Sequence, residues 1–227
     1  MYKVCLMVFC WLYSVGAIAQ NNNTIPQDGG IESGAINIAV SNAIEEENGD
    51  NYFAEAEKNE KKGDLNGALT LFSKAAFEYN SNRKFNAYGA ALLRLSHVHL
   101  MLNNYTEAEQ VVLNVALKNF SRIGNRNGQL DAYSQLGKVY YASNKLTQSL
   151  WFYTQQGILA RQLRNNPAYV NSMLGIISIK IKKKEYSLAL KDVNKAELFA
   201  RANKVSQYNT QFKSTRSVLK GKVRYKK

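Results

Sequence analysis

The stretch YYASNKLTQSLWFY, residues 140–153, reads as the middle of a helical hairpin: an aromatic pair, a polar break at Ser143-Asn144, then Ser149 and Tyr153 four residues apart. Residues four apart lie on one face of a helix. The same small-then-large pair recurs as Ala68 with Phe72, Ala108 with Val112, and Ala189 with Val193. The small residues thus stand at 68, 108, 149 and 189, at steps of 40, 41 and 40 along the chain. A period held over four copies points to a repeat architecture, which a single hairpin does not.

Ahead of each small residue runs an apolar stripe with spacings of three, four and seven, again one helix face. Its members are Tyr133, Leu136, Gly137 and Tyr140 in the third copy and Leu92, Leu95, Ser96 and His99 in the second. The fourth has Met173, Ile176, Ile177 and Lys180, and the first Tyr52, Glu55, Ala56 and Asn59. Each unit is therefore two helices and a turn. Gly63-Asp64, Asn103-Asn104, Ser143-Asn144, Gly124 and Asn165-Asn166-Pro167 supply turn chemistry at the breaks, and Pro167 suits the first turn of a helix. The spacing predicts helix pairs at about 51–62/65–81, 86–102/105–122, 128–142/146–163 and 168–183/186–202, with a last helix at about 205–220.

Tyr133-x2-Leu136-Gly137-x2-Tyr140 followed by Ser149-x3-Tyr153 resembles the tetratricopeptide-repeat (TPR) pattern of large-x2-Leu-Gly-x2-Tyr and Ala-x3-Phe. The first copy shares it through Gly63, Ala68, Phe72 and Ala75, and the second and fourth are degenerate. The resemblance implies an all-α, right-handed superhelical α-solenoid of about four helix-turn-helix repeats with a C-terminal capping helix. The units would be 51–84, 85–125, 126–166 and 167–203, with cap and basic tail at 204–227. The usual period is about 34, so this chain resembles a long-period variant of exported bacterial type. Tyr52, Leu92, Tyr133 and Met173 stand where the family places Trp, which leaves a related helical repeat class as the alternative.

The first residues have another character. Lys3, the apolar run Val4–Ala19 and Ala17-Ile18-Ala19 before polar Gln20 have the layout of a secretory signal peptide, 1–19, cleaved after Ala19. Sixteen apolar residues fall short of the roughly 20 that span a bilayer, and bulky Met7-Val8-Phe9 before Cys10 disfavours a lipoprotein site. Both cysteines, Cys5 and Cys10, fall inside this segment, so the mature chain is expected to hold no disulfide or thiolate site. Residues 20–50, with Gly29-Gly30, Gly34 and Glu45-Glu46-Glu47, read as a flexible acidic tether. The alternative packs Ile36, Ile38, Val40 and Ile44 onto the first repeat. The expected location is the periplasm or cell envelope, or the medium.

Charge is strongly uneven. The chain totals +13, residues 20–60 carry −8 and residues 161–227 carry +14. Lys213, Arg216, Lys220, Lys222, Arg224, Lys226 and Lys227 crowd the C-terminus without an acid among them. Such an end is either a solvated helix terminus and tail or a site for an anionic envelope component. Nucleic acid, the usual partner of such a tail, is not expected for an exported chain.

No constellation for catalysis is visible. His97 and His99 are two apart and face different sides of a helix, whereas helical metal pairs need three- or four-residue spacing; His99 stands in the slot of Tyr140 and is expected to pack. Gly63-Asp64-Leu65-Asn66-Gly67 is an inter-helix turn, Glu107 and Glu109 are solvated, and no Gly-rich phosphate loop or Gly-x-Ser-x-Gly elbow occurs. The reading is a non-enzyme with no cofactor and no metal.

What the resemblance implies instead is a concave groove for a peptide or helix of a partner protein. Carried over by register, its slots are Phe53, Glu57 and Lys61, then Leu93, His97 and Met101, then Asp131, Ser134, Lys138 and Tyr141, then Asn171, Leu174, Ser178 and Lys182. The family's Lys/Asn carboxylate clamp is not reproduced, since Phe53 and Glu57 stand there. The expectation is an exported protein-interaction scaffold. The alternatives are a sensory input module acting on a separate signalling protein, and a binder of anionic polymer or membrane surface through the basic end. Oligomeric state is not readable.

Overall fold

The structure, a computed structural model, describes residues 34–224, with side chains described for 48–222. The signal segment and its cleavage site, both cysteines, residues 20–33 of the tether, Lys226, Lys227 and the side chain of Arg224 lie outside the described residues. Among the described residues there are nine helices and no strand: α1 Gly34–Lys62, α2 Leu65–Ser81, α3 Phe85–Met101, α4 Tyr105–Gln110 continuing through Val111–Ala116 and Leu117–Arg122, α5 Arg126–Ala142, α6 Leu146–Gln162, α7 Asn166–Lys182, α8 Tyr186–Ala202 and α9 Asn209–Arg224. Each helix packs on the next in chain order, and α3 with α5 and α5 with α7 also touch, the packing of a helical-repeat protein.

One turn closes every helix from α1 to α8. The residues with positive φ are Gly63, Arg83, Asn103, Gly124, Asn144, Arg164, Lys184 and Lys204. In each turn the next residue's N–H reaches back five positions, as Asp64 N to Asn59 O (2.9 Å), Lys145 N to Tyr140 O (2.8 Å) and Val205 N to Ala200 O (2.8 Å). The left-handed residue itself bonds three back, as Gly63 N to Glu60 O at 3.1 Å. This is the Schellman pattern, which satisfies the orphan carbonyls of a helix end. Asp64, Asn125 and Asn165 then serve as caps of the following helix, accepting from Gly67 N, Gly128 N and Ala168 N at 3.0, 2.8 and 3.0 Å.

The turns follow one another at a constant step of 20, except for a step of 21 between Asn103 and Gly124. The extra residue is absorbed inside α4, where Val111–Ala116 is π-helical and Leu117 N–H reaches Val112 O, five residues back. This is the physical origin of the single longer interval in the sequence, between Ala108 and Ser149.

Equal helices bring equivalent positions together. Ala68, Ala108, Ser149 and Ala189 are all buried, as are Ala56, Ser96 and Ile177 twelve residues before three of them. Where a serine takes such a place it is satisfied across the pair: Ser96 Oγ donates to Ala108 O and Ser149 Oγ to Gly137 O, both at 2.8 Å. Size is exchanged at a second place. Gly49 faces Tyr79, and Gly89 faces Phe120 so closely that a Cβ would lie 2.4 Å from the ring. At the corresponding positions Leu130 clusters with Ala160 and Val170 with Ala200. Tyr153 is wedged likewise between Gly137 and Gly175, with a Cβ on either falling within 2.8 Å of its ring. At the far end α9 buries Phe212 and Leu219 against Val193, Ala196 and Ala200 of α8.

Two expectations change. The helix α1 begins at Gly34 rather than near 51, so half the stretch expected as a tether is helical backbone. Ala and Glu between 35 and 47 propagate well, and extending a helix already nucleated by packing costs less than starting one. The last helix starts at Asn209 rather than near 205, because Val205 is buried at the close of the preceding turn.

The turns and the size exchange each have a stability test. Lys184→Gly should raise the unfolding free energy in urea by roughly 0.5–1 kcal/mol and Gly63→Ala lower it by about 1, since only glycine takes positive φ without strain; the reverse order would contradict the turn account. Phe120→Ala should cost about 3–5 kcal/mol and Gly89→Leu alone about 1–3. The double variant should recover at least about 2 kcal/mol of their sum, and strict additivity would refute the exchange.

Candidate protein-binding cleft

A cleft of about 240 Å³ opens between α3 and α5, lined by Leu93, Arg94 and His97 from the first and Asp131, Ser134, Gln135 and Lys138 from the second. It exists because these two helices, one pair apart, lie side by side and expose a strip next to their buried stripes. On α3 that stripe is Leu92, Leu95, Ser96 and Val98, and on α5 Ala132, Leu136, Gly137 and Val139. The residues one step away are left facing the cleft.

Five of the expected groove residues, Leu93, His97, Asp131, Ser134 and Lys138, meet here. Arg94 and Gln135 join them. Arg94 is held by α1, bonding Glu60 at 2.7 Å and approaching Glu57 at 3.5 Å, while Glu60 also approaches His97 at 3.6 Å. Gln135 is buried and donates to Ser96 Oγ at 3.3 Å, tying the cleft floor to the α3–α4 contact. Sequence reasoning does not single out Glu60 and Arg94: Arg94 is the one Arg or Lys of α3, but Glu60 is one of several acids on α1.

The cleft shifts its own charges. His97 is pushed below its ordinary value by burial, and the cations Lys138 and Arg94 add to this against the pull of Glu60. Asp131 is pushed up and Lys138 down, burial leading in both and each partly holding the other's charge. Both residues are exposed, so the cause is crowding by the cleft walls and not full enclosure.

The other expected groove positions separate. Phe53 turns inward, stacking edge-on to Phe72 at 5.2 Å and tilting on Tyr79 at 6.4 Å. Leu174 is 5 % exposed and belongs to the core with Val170 and Ile177, so it offers nothing to a partner. Both follow from a stripe wider than the slots assumed, since a core-facing helix buries three or four residues per two turns. Asn171 accepts from Ser134 Oγ at 3.1 Å and Gln156 Nε2 at 3.2 Å, joining three helices. Ser178 bonds its own helix at Leu174 O. Lys182 lies over Tyr141, 4.5 Å from the ring centre, and donates to Tyr141 O at 2.8 Å. Met101 and Lys61 are exposed, and Glu57 is half-buried beside Arg94.

At the basic end Lys213, Lys220 and Lys222 are exposed, whereas Arg216 is engaged with Glu197 of α8. His99 is half-buried, and its buried Nδ1 makes no hydrogen bond. Among the described residues no three His, Cys, Asp or Glu side chains gather as a metal site, and no helix is long and apolar enough to cross a membrane. No family model matches the chain, and no curated protein matches it.

The histidine shift has a sign. In the unfolded chain an imidazole gains its proton near 6.5, while folded His97 gains it lower, so the folded state loses stability as pH falls below 6.5 and holds it above. His99 is lowered too, again chiefly by burial. Unfolding followed from pH 7.5 to 5 should show a decline that is shallower in His97→Gln; an unchanged or steeper decline would contradict the assignment.

Proposed function

We propose that the chain is an exported, non-catalytic scaffold of the tetratricopeptide type: a right-handed superhelical row of about four helix pairs, capped by α9, that receives a peptide or helix of a partner protein in the bacterial envelope. The observation that carries this reading is the α3–α5 cleft, where half-buried Leu93 sits beside charges of both signs, Arg94 and Lys138 against Asp131. An apolar anchor ringed by fixed polar groups suits an amphipathic segment, whose side chains at helical spacing supply one apolar contact and flanking charges. The recurrence of one turn at a near-constant step supports the repeat reading. Half-buried His97 and exposed Lys138 contribute orientation, and Arg94, anchored by Glu60, contributes a preset donor.

The test is capture of a partner from envelope extract on immobilised protein, at about 0.1 M and 1 M salt. A His97→Ala/Lys138→Ala variant, altered only along the cleft surface, should unfold within about 1 kcal/mol of the parent. It should hold at least tenfold less partner, with apolar anchoring keeping the parent's partner at high salt. Equal capture by the variant would sink the cleft reading.

A further inference from the structure

A second cavity, about 410 Å³, lies between α8 and α9, and its chemistry differs from the cleft's. At its base is Glu197, 7 % exposed. Counting back seven positions from each turn places Ala76, Leu117 and Gly157 at the same point in the other second helices, so the fold has no need of a carboxylate there. Burying one is costly unless it is paired. Glu197 is paired twice: Arg201, one turn later on α8, bonds Oε1 at 2.5 Å, and Arg216 of α9 engages Oε2. Lys220, one turn beyond Arg216, also lines the cavity.

One carboxylate therefore stands against three cations. Its two oxygens fix two guanidinium groups that would otherwise be mobile, which removes much of the ordering cost of an oxyanion site, and Arg forks are suited to carboxylate and phosphate. Arg201 remains largely open to water, at 69 % side-chain exposure. The remaining wall is formed by Asn194 with Leu190 and Leu198, the last 67 % exposed, a large hydrophobic side chain left uncovered beside the charges. Three cations around one carboxylate and an apolar lip, in a cavity within the usual size range of small-ligand sites, define an amphiphile.

We infer that the α8–α9 cavity binds an amphiphilic anion, a carboxylate or phosphate head on an aliphatic tail, with Arg201, Arg216 and Lys220 taking the head and Leu190 and Leu198 the start of the tail. The site does not depend on the α3–α5 cleft. Its simpler competitor is a purely structural Glu197–Arg216 pin that seats α9.

The experiment is calorimetric titration of the purified protein with monomeric decyl phosphate and decanoate, beside inorganic phosphate and decanol. Either amphiphile should bind in one saturable event, with phosphate alone and decanol at least tenfold weaker. An Arg201→Gln/Lys220→Gln variant, which keeps the Glu197–Arg216 pair, should weaken the amphiphile at least tenfold while still unfolding in one cooperative transition. Co-sedimentation with vesicles of phosphatidylglycerol against phosphatidylcholine assigns the head to a membrane lipid if the anionic vesicles alone retain the protein and the variant does not. Titration without retention assigns it to a free amphiphile. No saturable binding, equal binding by the variant, or equal binding of decanol would overturn the site and leave the structural pin.

Discussion

The left-handed residue that ends each helix is the constraint on which the rest depends. It closes six of the helices at a length of 17 residues each, and the chain enters the next helix within a few positions. A helix of that length spans about 25 Å, and because successive helices are equal, position n on one meets a fixed position on its neighbour. Only two of the eight turns use glycine. The other six accept a local cost of about 1 kcal/mol each, which the packing of the paired helices offsets. The turn is thus set as much by the register of buried side chains as by turn residues.

From that register comes the exchange of bulk between facing positions. Glycine opposite an aromatic at 49/79 and 89/120 becomes leucine or valine opposite alanine at 130/160 and 170/200, so the volume at the junction is conserved while its owner changes. Close-packed interiors require this, since a missing or surplus methylene group is felt. The buried serines 96 and 149 do for polar groups what the glycines do for volume: each hydroxyl sits at a helix contact and finds a carbonyl across it. The same side-by-side placing of α3 and α5 leaves the strip from Leu93 to Lys138 uncovered. Packing and candidate site are products of one geometry.

Much of this is legible in the sequence. Small and large residues four apart, with Gly63, Asn103, Gly124 and Asn144 between, mark the second helices at 65–81, 105–122 and 186–202, where the structure has them. The signal is clear because alanine and serine at a helix contact have few substitutes. Turns at Arg83, Lys184 and Lys204 carry no such mark, since a charged residue at positive φ is enforced from outside the turn. Phe53 and Leu174 fall among the groove slots by sequence because one step of register separates a groove slot from a core slot, and only packing resolves it. The role of Arg94 depends on Glu60, far back in the chain on α1, and that of Glu197 on Arg216 of a helix outside the period. Long-range charge pairs leave no periodic trace.

The central claim, that one helix-and-turn unit of constant length governs the chain and that α4 holds one residue more, is tested most directly by two single-residue deletions followed in thermal unfolding. Removing Asn114, exposed in the π segment, restores the 0, 4, 7, 11 spacing of Ala68, Phe72, Ala75 and Tyr79 to Ala108, Val112, Ala116 and Phe120. Removing Thr154 from the regular helix α6 displaces Gln156, Leu159 and Ala160 from their face. The account predicts cooperative unfolding at an unchanged or higher Tm for the first. It predicts a loss of about 3 kcal/mol or more for the second, roughly 6–12 °C. Equal losses from the two deletions would contradict it.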